Sequence, residues 1–596
     1  MGITSEKMTE SSGPIEAIAQ ALSCAIAAAL GEQYRDTDLQ IRPSQNPKFG
    51  DYQANFAMKL AKQLGSNPRE LASKVADAAA EELAAIAEPL EVAGPGFINI
   101  RLKNQAIAHM LSSMDNQELG VTQQDDPHTI VIDLCAVNIA KQMHVGHLRS
   151  TIIGDALARI LERIGRTVLR ENHLGDWGLP IAMVLHELLE AKTNLDTLKL
   201  AELDSAYRKA QQKAKDDDAF LEAAKTTLVK LQNSDPQLIE DWHKLINCTL
   251  TALYESLEIL NVKLTKENNR GESFYRDKLP GVIEAFTNAK LAKEDDGAMV
   301  VPFDTRERPL LIQKSDGGYL YATTDLAAIR LRTGQSNANR IIYVVDARQR
   351  DHFRDVFDAA KLIGWDKTPD GECAELRHIP FGSVLGPDKR PLKTRSGENV
   401  TLKSLLDEAC ERGESEVKKR ASDPKAPTHG LSEAELKDIG TAVGIGAIKY
   451  ADLSNDLVRD YVFDMNRMVR FEGNTGPYLQ YAHARICSIF TKAGIDAGVL
   501  SSEQFAIGEP AERRLALTLL KYPDIIADVA KTLEPHRLCT YLYELADAYS
   551  SFYEHCPVLK AETDSIKRSR LKLCHLTRNV LSDGLDLLGI KAPTRM

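Results

Sequence analysis

The feature that most constrains this chain is a change of period between residues 129 and 164. An apolar run, 129–134, reads as a buried strand. Beyond a loop, Val145, Leu148, Ile152, Ile153, Ala156, Leu157, Ile160, Leu161 and Ile164 recur every three or four residues, the pattern of one face of a helix. At the junction lies Ala136-Val137-Asn138-Ile139-Ala140-Lys141-Gln142-Met143-His144-Val145-Gly146-His147, which sets His144 and His147 three residues apart at the helix start. A helix start offers free N–H groups and a partial positive charge, which suits phosphate. Gly146 leaves room for a nucleotide against the backbone. Two imidazoles can donate hydrogen bonds to phosphate oxygens as charge builds on them in a transition state.

The alternation of strand and helix continues. Residues 167–171 and 341–345 are strand candidates and 351–363 a helix candidate. Residues 119–400 are therefore expected to form an α/β, doubly wound parallel-sheet nucleotide-binding domain, with its ligand at the C-terminal ends of the strands. Residues 185–262 are helical in pattern, charged, free of Gly and almost free of Pro, so they read as an insertion that splits this fold. Before the sheet, residues 14–118 suggest an α+β add-on, with helices over 15–30, 53–64 and 68–86 and a strand–turn–strand over 90–102. Residues 1–13 read as a flexible polar tail. From 401 onward the pattern is helical throughout: 405–419, 434–450, 477–494, 511–522, 535–553 and 564–588. That implies an all-α bundle, with 401–470 as a helical connection and 471–596 as a C-terminal domain.

A chain of 596 residues is too long for one core. Hydrophobic content of 43% and charged content of 27% are those of a soluble globular protein, and no apolar run reaches bilayer length. The nine cysteines are scattered with no C-x-x-C pair, which disfavours zinc and fits reduced thiols in the cytoplasm. A net charge of −11 argues mildly against a nucleic-acid partner, unless charge is uneven. It is uneven: the stretch from Lys560 to Arg578 is basic, and fits a solvated helix face or an RNA contact about equally.

His144-Val145-Gly146-His147 resembles the HIGH signature of class I aminoacyl-tRNA synthetases, and the longer string from Asn138 to Asp155, N-I-A-K-Q-M-H-V-G-H-L-R-S-T-I-I-G-D, resembles the arginyl-tRNA synthetases in particular. The resemblance continues in E-N-H-L-G-D-W-G (171–178), Y-A-T-T-D (321–325), F-E-G-N-T-G-P-Y-L-Q-Y-A-H-A-R-I (471–486) and the terminal L-G-I…R-M. It covers nearly the whole chain. It implies activation of L-arginine by ATP with Mg²⁺, then transfer to the 3′ end of tRNA(Arg), by a cytoplasmic monomer without a membrane segment or protein-bound zinc. It also implies that the add-on touches the tRNA elbow, that the insertion handles the acceptor end, that the C-terminal bundle reads the anticodon, and that arginine activation requires tRNA.

The residues then take expected roles. His144, His147 and Lys141 would supply donors and charge to the phosphates, with Gly146, Gly175 and Asp176 beside the nucleotide. The class motif K-M-S-K-S is matched only loosely here, by Leu392-Lys393-Thr394-Arg395-Ser396 within a basic stretch that includes Lys389. Lys393 is expected to act with Lys389 on ATP, although which of Lys389, Lys393 and Arg395 meets the phosphates is open. Selecting a guanidinium calls for carboxylates. The resemblance places Asp133, Asn138, Tyr321, Asp325 and Gln349 around arginine. If residues 321–325 are helical, Tyr321 and Asp325 project from one face. Asn138 and Gln349 would hold its amino and carboxylate groups or its guanidinium.

Overall fold

The computed structural model describes residues 13–44, 46–390, 392 and 400–596. Four parallel strands make the central sheet: β1 (Thr129–Asp133), β2 (Thr167–Glu171), β3 (Ala338–Asp346) and β4 (Glu375–Phe381), in the order β4-β3-β1-β2. Ile130, Val131 and Ile132 are all buried, because helices cover both faces. Helix α1 (Val145–Arg163) follows β1, and helices α2 (Tyr321–Gly334) and α3 (Arg350–Leu362) flank β3. The doubly wound parallel sheet is therefore present. Helix α1 crosses close over the end of β1 at Gly154, where an added Cβ would come within 2.4 Å of the Leu134 Cβ.

The expected insertion is four helices, Leu179–Glu190, Leu200–Asp216, Asp218–Gln232 and Pro236–Ile259. Residues 293–313, not expected as strands, form a three-stranded antiparallel sheet. In the N-terminal unit, helices Pro14–Leu30, Ala57–Leu64 and Pro68–Leu83 pack on a four-stranded antiparallel sheet. The helix expected over 53–64 begins at Ala57. Residues 52–54 are a strand paired with 98–100, which buries Tyr52 and Ala54 and leaves Gln53 toward solvent, so tertiary pairing overrides local pattern.

The C-terminal part is helical, with two differences. Residues 511–522 are not one helix. Pro510–Leu519 ends and Tyr522–Thr532 restarts with Pro523 in its first turn. In addition, Tyr461–Val462 forms a short parallel pairing with Val384–Leu385, just beyond β4. The basic stretch in helix Asp564–Leu587 faces inward in part. Arg570 is ion-paired with Glu512 at 2.7 Å, and Lys572 donates to the carbonyls of Ser501 and Glu503. Those two cations are spent inside the protein. No helix among the described residues is long and apolar enough to cross a membrane.

Candidate active site

The loop from β1 to α1 holds three non-glycine residues in the left-handed region: Cys135 (φ 75°), Ala136 (φ 52°) and Ala140 (φ 67°). Each such residue costs energy and persists only where its surroundings over-determine it. Here each backbone N–H is captured by a side chain. Cys135 donates to Ser150 Oγ, Ala136 to Asn172 Oδ1 and Ala140 to Thr249 Oγ1, at 3.0–3.1 Å. Asn138 pairs with Gly175 in an isolated parallel bridge, and a Cβ on Gly175 would come within 2.2 Å of Asn138 Oδ1. The glycine leaves that space to the Asn138 amide.

His144 is the N-cap of α1. Its Nδ1 accepts from the Gly146 N–H, while the His147 Nδ1 accepts from the His144 N–H, both at 3.1 Å. A Cβ on Gly146 would lie 2.8 Å from the His144 ring, so glycine is what lets that ring fold back. A nitrogen that accepts carries no proton. Both imidazoles therefore hold their proton on Nε2 and present it as a donor. Burial lowers both pKa values. His147 falls to about 3, through burial and then the nearness of His144 and Lys141. His144 is lowered by burial, then by Lys141 and Arg348. The rings lie 4.0 Å apart and are neutral at physiological pH. Lys141 rests over the ring of Tyr207, from the insertion, 4.4 Å from its centroid.

Tyr321 and Asp325 occupy consecutive turns at the start of α2, with Tyr321 72% exposed and near the same Tyr207 that Lys141 covers. Asp325 accepts from His352 Nε2 of α3 at 2.6 Å. Gln349 is exposed at the C-terminal end of β3, in the turn that opens α3. Glu272, which sequence reasoning passed over, lies near Asp325. Burial first, then Asp176 and Asp325, raise its pKa to about 7. It comes from Arg270-Gly271-Glu272-Ser273, a stretch with no period to mark it.

Two residues expected at the substrate turn inward instead. Asp133 and Glu171 end adjacent strands directly opposite one another, where like charges repel. The fully buried Arg332 of α2 lies between them, 2.6 Å from Asp133 and 2.7 Å from Glu171. The Asp133 carboxylate is thus committed to anchoring the helix that carries Tyr321 and Asp325. The Asp176 carboxylate accepts from the N–H and the hydroxyl of Ser273, at 2.9 and 2.7 Å, and a Cβ on Gly271 would collide with it. It holds the Glu272 turn. Lys389 sits exposed with φ 59° in the turn after β4. Lys393 and Arg395 lie outside the described residues.

The catalytic model described as tRNA synthetases class I (R) matches residues 107–465, the DALR anticodon binding domain matches 479–596, and the arginyl tRNA synthetase N terminal domain matches 16–102. An arginine–tRNA ligase of Thermobifida fusca is 44% identical over 98% of this chain and 100% of its own. One of Cellvibrio japonicus is 44% identical over 94% and 96%. Among solved structures, the arginyl-tRNA synthetase of Plasmodium falciparum superposes with a TM-score of 0.82 at 29% identity, covering 98% of this chain and 100% of its own. That of Thermus thermophilus gives 0.81 at 25%, with the same coverage. The chain belongs to the arginyl-tRNA synthetases of class I.

Proposed function

We propose that this pocket carries out the arginine–tRNA ligase reaction. The carboxylate of L-arginine attacks the α-phosphorus of ATP, giving arginyl-adenylate and pyrophosphate. A ribose hydroxyl at the 3′ end of tRNA(Arg) then takes the arginyl group and AMP leaves. The observation that carries this reading is a pair of neutral imidazoles on a helix start at the C-terminal edge of the sheet, where β1 and β3 end side by side and Arg348, next to Gln349, lies near His144. His144 and His147 donate Nε2–H to phosphate oxygens as charge builds there, and Lys141, Arg348 and Lys389 add positive charge. The arginine carboxylate is itself the nucleophile, so no covalent nucleophile on the protein is required. Mg²⁺ enters with ATP and spreads the phosphate charge. Among the described residues no group of three His, Cys, Asp or Glu is arranged to hold a metal by itself.

Arginine lies with its guanidinium toward Asp325, Glu272 and Tyr321, while Asn138 and Gln349 hold its polar groups. Asp133 acts behind them through Arg332. For tRNA, the helical C-terminal part offers a cavity lined by Tyr481, Arg485, Tyr553 and the lysines 425, 492 and 560, with the Arg485 guanidinium 3.9 Å from the centre of the Tyr553 ring. Rings for stacking and cations for phosphate suit an unpaired RNA loop. Nine free cysteines fit a cytoplasmic compartment.

The test is charging of total tRNA with each of the twenty amino acids, where arginine alone should be transferred. Transfer of another amino acid would overturn the reading. Asp325→Asn keeps one acceptor but loses the charge, at roughly 1.5–3 kcal/mol, so the arginine KM should rise roughly 10- to 150-fold with the ATP KM unchanged.

A further inference from the structure

The basic stretch after β4 is tied at both ends to the helix of the two histidines, and one tie is a buried ion pair that the chemistry above does not use. Arg149 lies in the second turn of α1 and is 1% exposed. Its Nε is 3.1 Å from a carboxylate oxygen of Asp452, itself fully buried near the end of helix Glu433–Leu453. Its Nη1 donates to the Gly382 carbonyl at 2.7 Å and reaches that of Arg459 at 3.5 Å. The guanidinium lies over the rings of Phe381 and Tyr461, 5.6 and 5.4 Å from their centroids.

Around this group the chain after β4 is stitched to residues 457–462. The Gly382 N–H donates to the Leu457 carbonyl at 2.9 Å, and the Ser383 N–H to the Asp460 carboxylate at 2.6 Å. Val384–Leu385 then pairs with Tyr461–Val462. The far end of the stretch returns to the same helix start. Thr401 bridges His144, and the Leu402 N–H donates to the Met143 carbonyl at 2.8 Å. One helical turn and a half therefore presents both imidazoles and holds Gly382 on one side and Thr401 and Leu402 on the other.

A buried ion pair adds little stability over apolar packing of the same volume. What an apolar side chain could not do is fix three separate pieces of chain in one register. We propose that Arg149 is a positioning residue for adenylate formation. It fixes where the chain that bears Lys389 leaves the sheet relative to the helix of His144 and His147, and it makes that setting depend on where the 452–462 stretch of the helical part sits. The inference rests on reading His144 and His147 as the phosphate donors.

Two variants of the full-length enzyme test it, with His147→Ala measured alongside. Arg149→Lys keeps the charge and loses the fork. Gly382→Ala leaves Arg149 intact but brings a Cβ within 2.7 Å of Asp460 Oδ1 and 2.8 Å of the Arg459 carbonyl carbon, and so wedges the two stretches apart. The readouts are arginine-dependent pyrophosphate exchange into ATP with tRNA present, and calorimetric arginine stoichiometry. Both variants should lose about tenfold or more in kcat, with the arginine KM held within about twofold and about one arginine bound per chain, as displacement of a positioned charge requires. Full kcat in both variants beside an impaired His147→Ala would overturn the inference. So would normal kcat per arginine-binding chain with fewer chains competent to bind, which is the mark of a merely structural residue. Normal turnover in His147→Ala would remove the phosphate-site reading, and this inference with it.

Discussion

His147 separates binding from chemistry most cleanly. On the proposed reading its Nε2–H is one preorganised donor to phosphate, whose loss should cost about 2.7–4 kcal/mol in the transition state, or roughly 10²- to 10³-fold in kcat. His147→Ala should show that fall in pyrophosphate exchange with arginine affinity nearly intact. Near-normal turnover would take the residue out of the mechanism. Glu272 gives a second test, through pH. Its carboxyl binds a proton more tightly in the folded protein, at about 7, than at the ordinary 4.5 of the unfolded chain. A raised pKa contributes stability that is fully present below the unfolded value and is lost as pH rises through the folded one. The melting temperature of the wild type should therefore fall between about pH 5 and pH 7.5 relative to Glu272→Gln. A guanidinium favours the ionised carboxylate, so arginine binding near neutral pH should release a proton from the wild type and none from the variant. Identical proton release, measured by calorimetry in buffers of different ionisation enthalpy, would remove Glu272 from the arginine site.

At the level of the element, α1 carries the most consequence per residue. Its apolar spacing makes it a helix, His144 and His147 cap it, and Gly154 sets its depth on the sheet. Gly154→Ala is instructive because two effects oppose. Alanine gains up to about 1 kcal/mol of helix propensity. The added methyl meets the Leu134 side chain at 2.4 Å in a packed core, where overpacking costs about 1–3 kcal/mol. The clash should win, with a net loss of roughly 1–2 kcal/mol and a lower kcat, since lifting the helix moves both imidazoles. A thermal melt at or above that of the wild type would show that β1 and α1 can part without cost.

Across the whole molecule, the catalytic helix and the C-terminal part share a buried polar junction. Asp155 pairs with Arg159 in α1, and Arg159 reaches Asp586. Lys449, fully buried, donates to the carbonyls of Leu260 and Gly589 at 2.8 and 2.9 Å. The histidine helix, the end of the insertion and the chain's last turn thus meet in one place. On the proposed reading, a tRNA gripped at the helical bundle would act through this junction on the histidine helix, and the basic stretch after β4 matches the class motif only loosely. Arginine-dependent pyrophosphate exchange should therefore be weak without tRNA and strong with it. Equal rates would mean that the site is complete in the free enzyme.

The sequence by itself determined many of the elements and their order, though not the strands at 52–54, 293–313 and 375–381. A period of two or of 3.6 needs only neighbours along the chain, so β1, α1, the helical character of the insertion and most of the C-terminal helices were legible, as was the place of His144 and His147 at a helix start, while Tyr321 and Asp325 came only from the resemblance. Only the tertiary structure decided which charges meet which. Asp133 turns to Arg332, Asp176 to Ser273, and Arg570 and Lys572 into the bundle, while Glu272, far from any motif, lies near Asp325. Residues 52–54 became a strand because residues 98–100 lie beside them. The physical reason is common to all of these. A buried charge or an unpaired backbone group takes the partner that the fold brings within reach, and that partner stands tens or hundreds of residues away, where no local period records it.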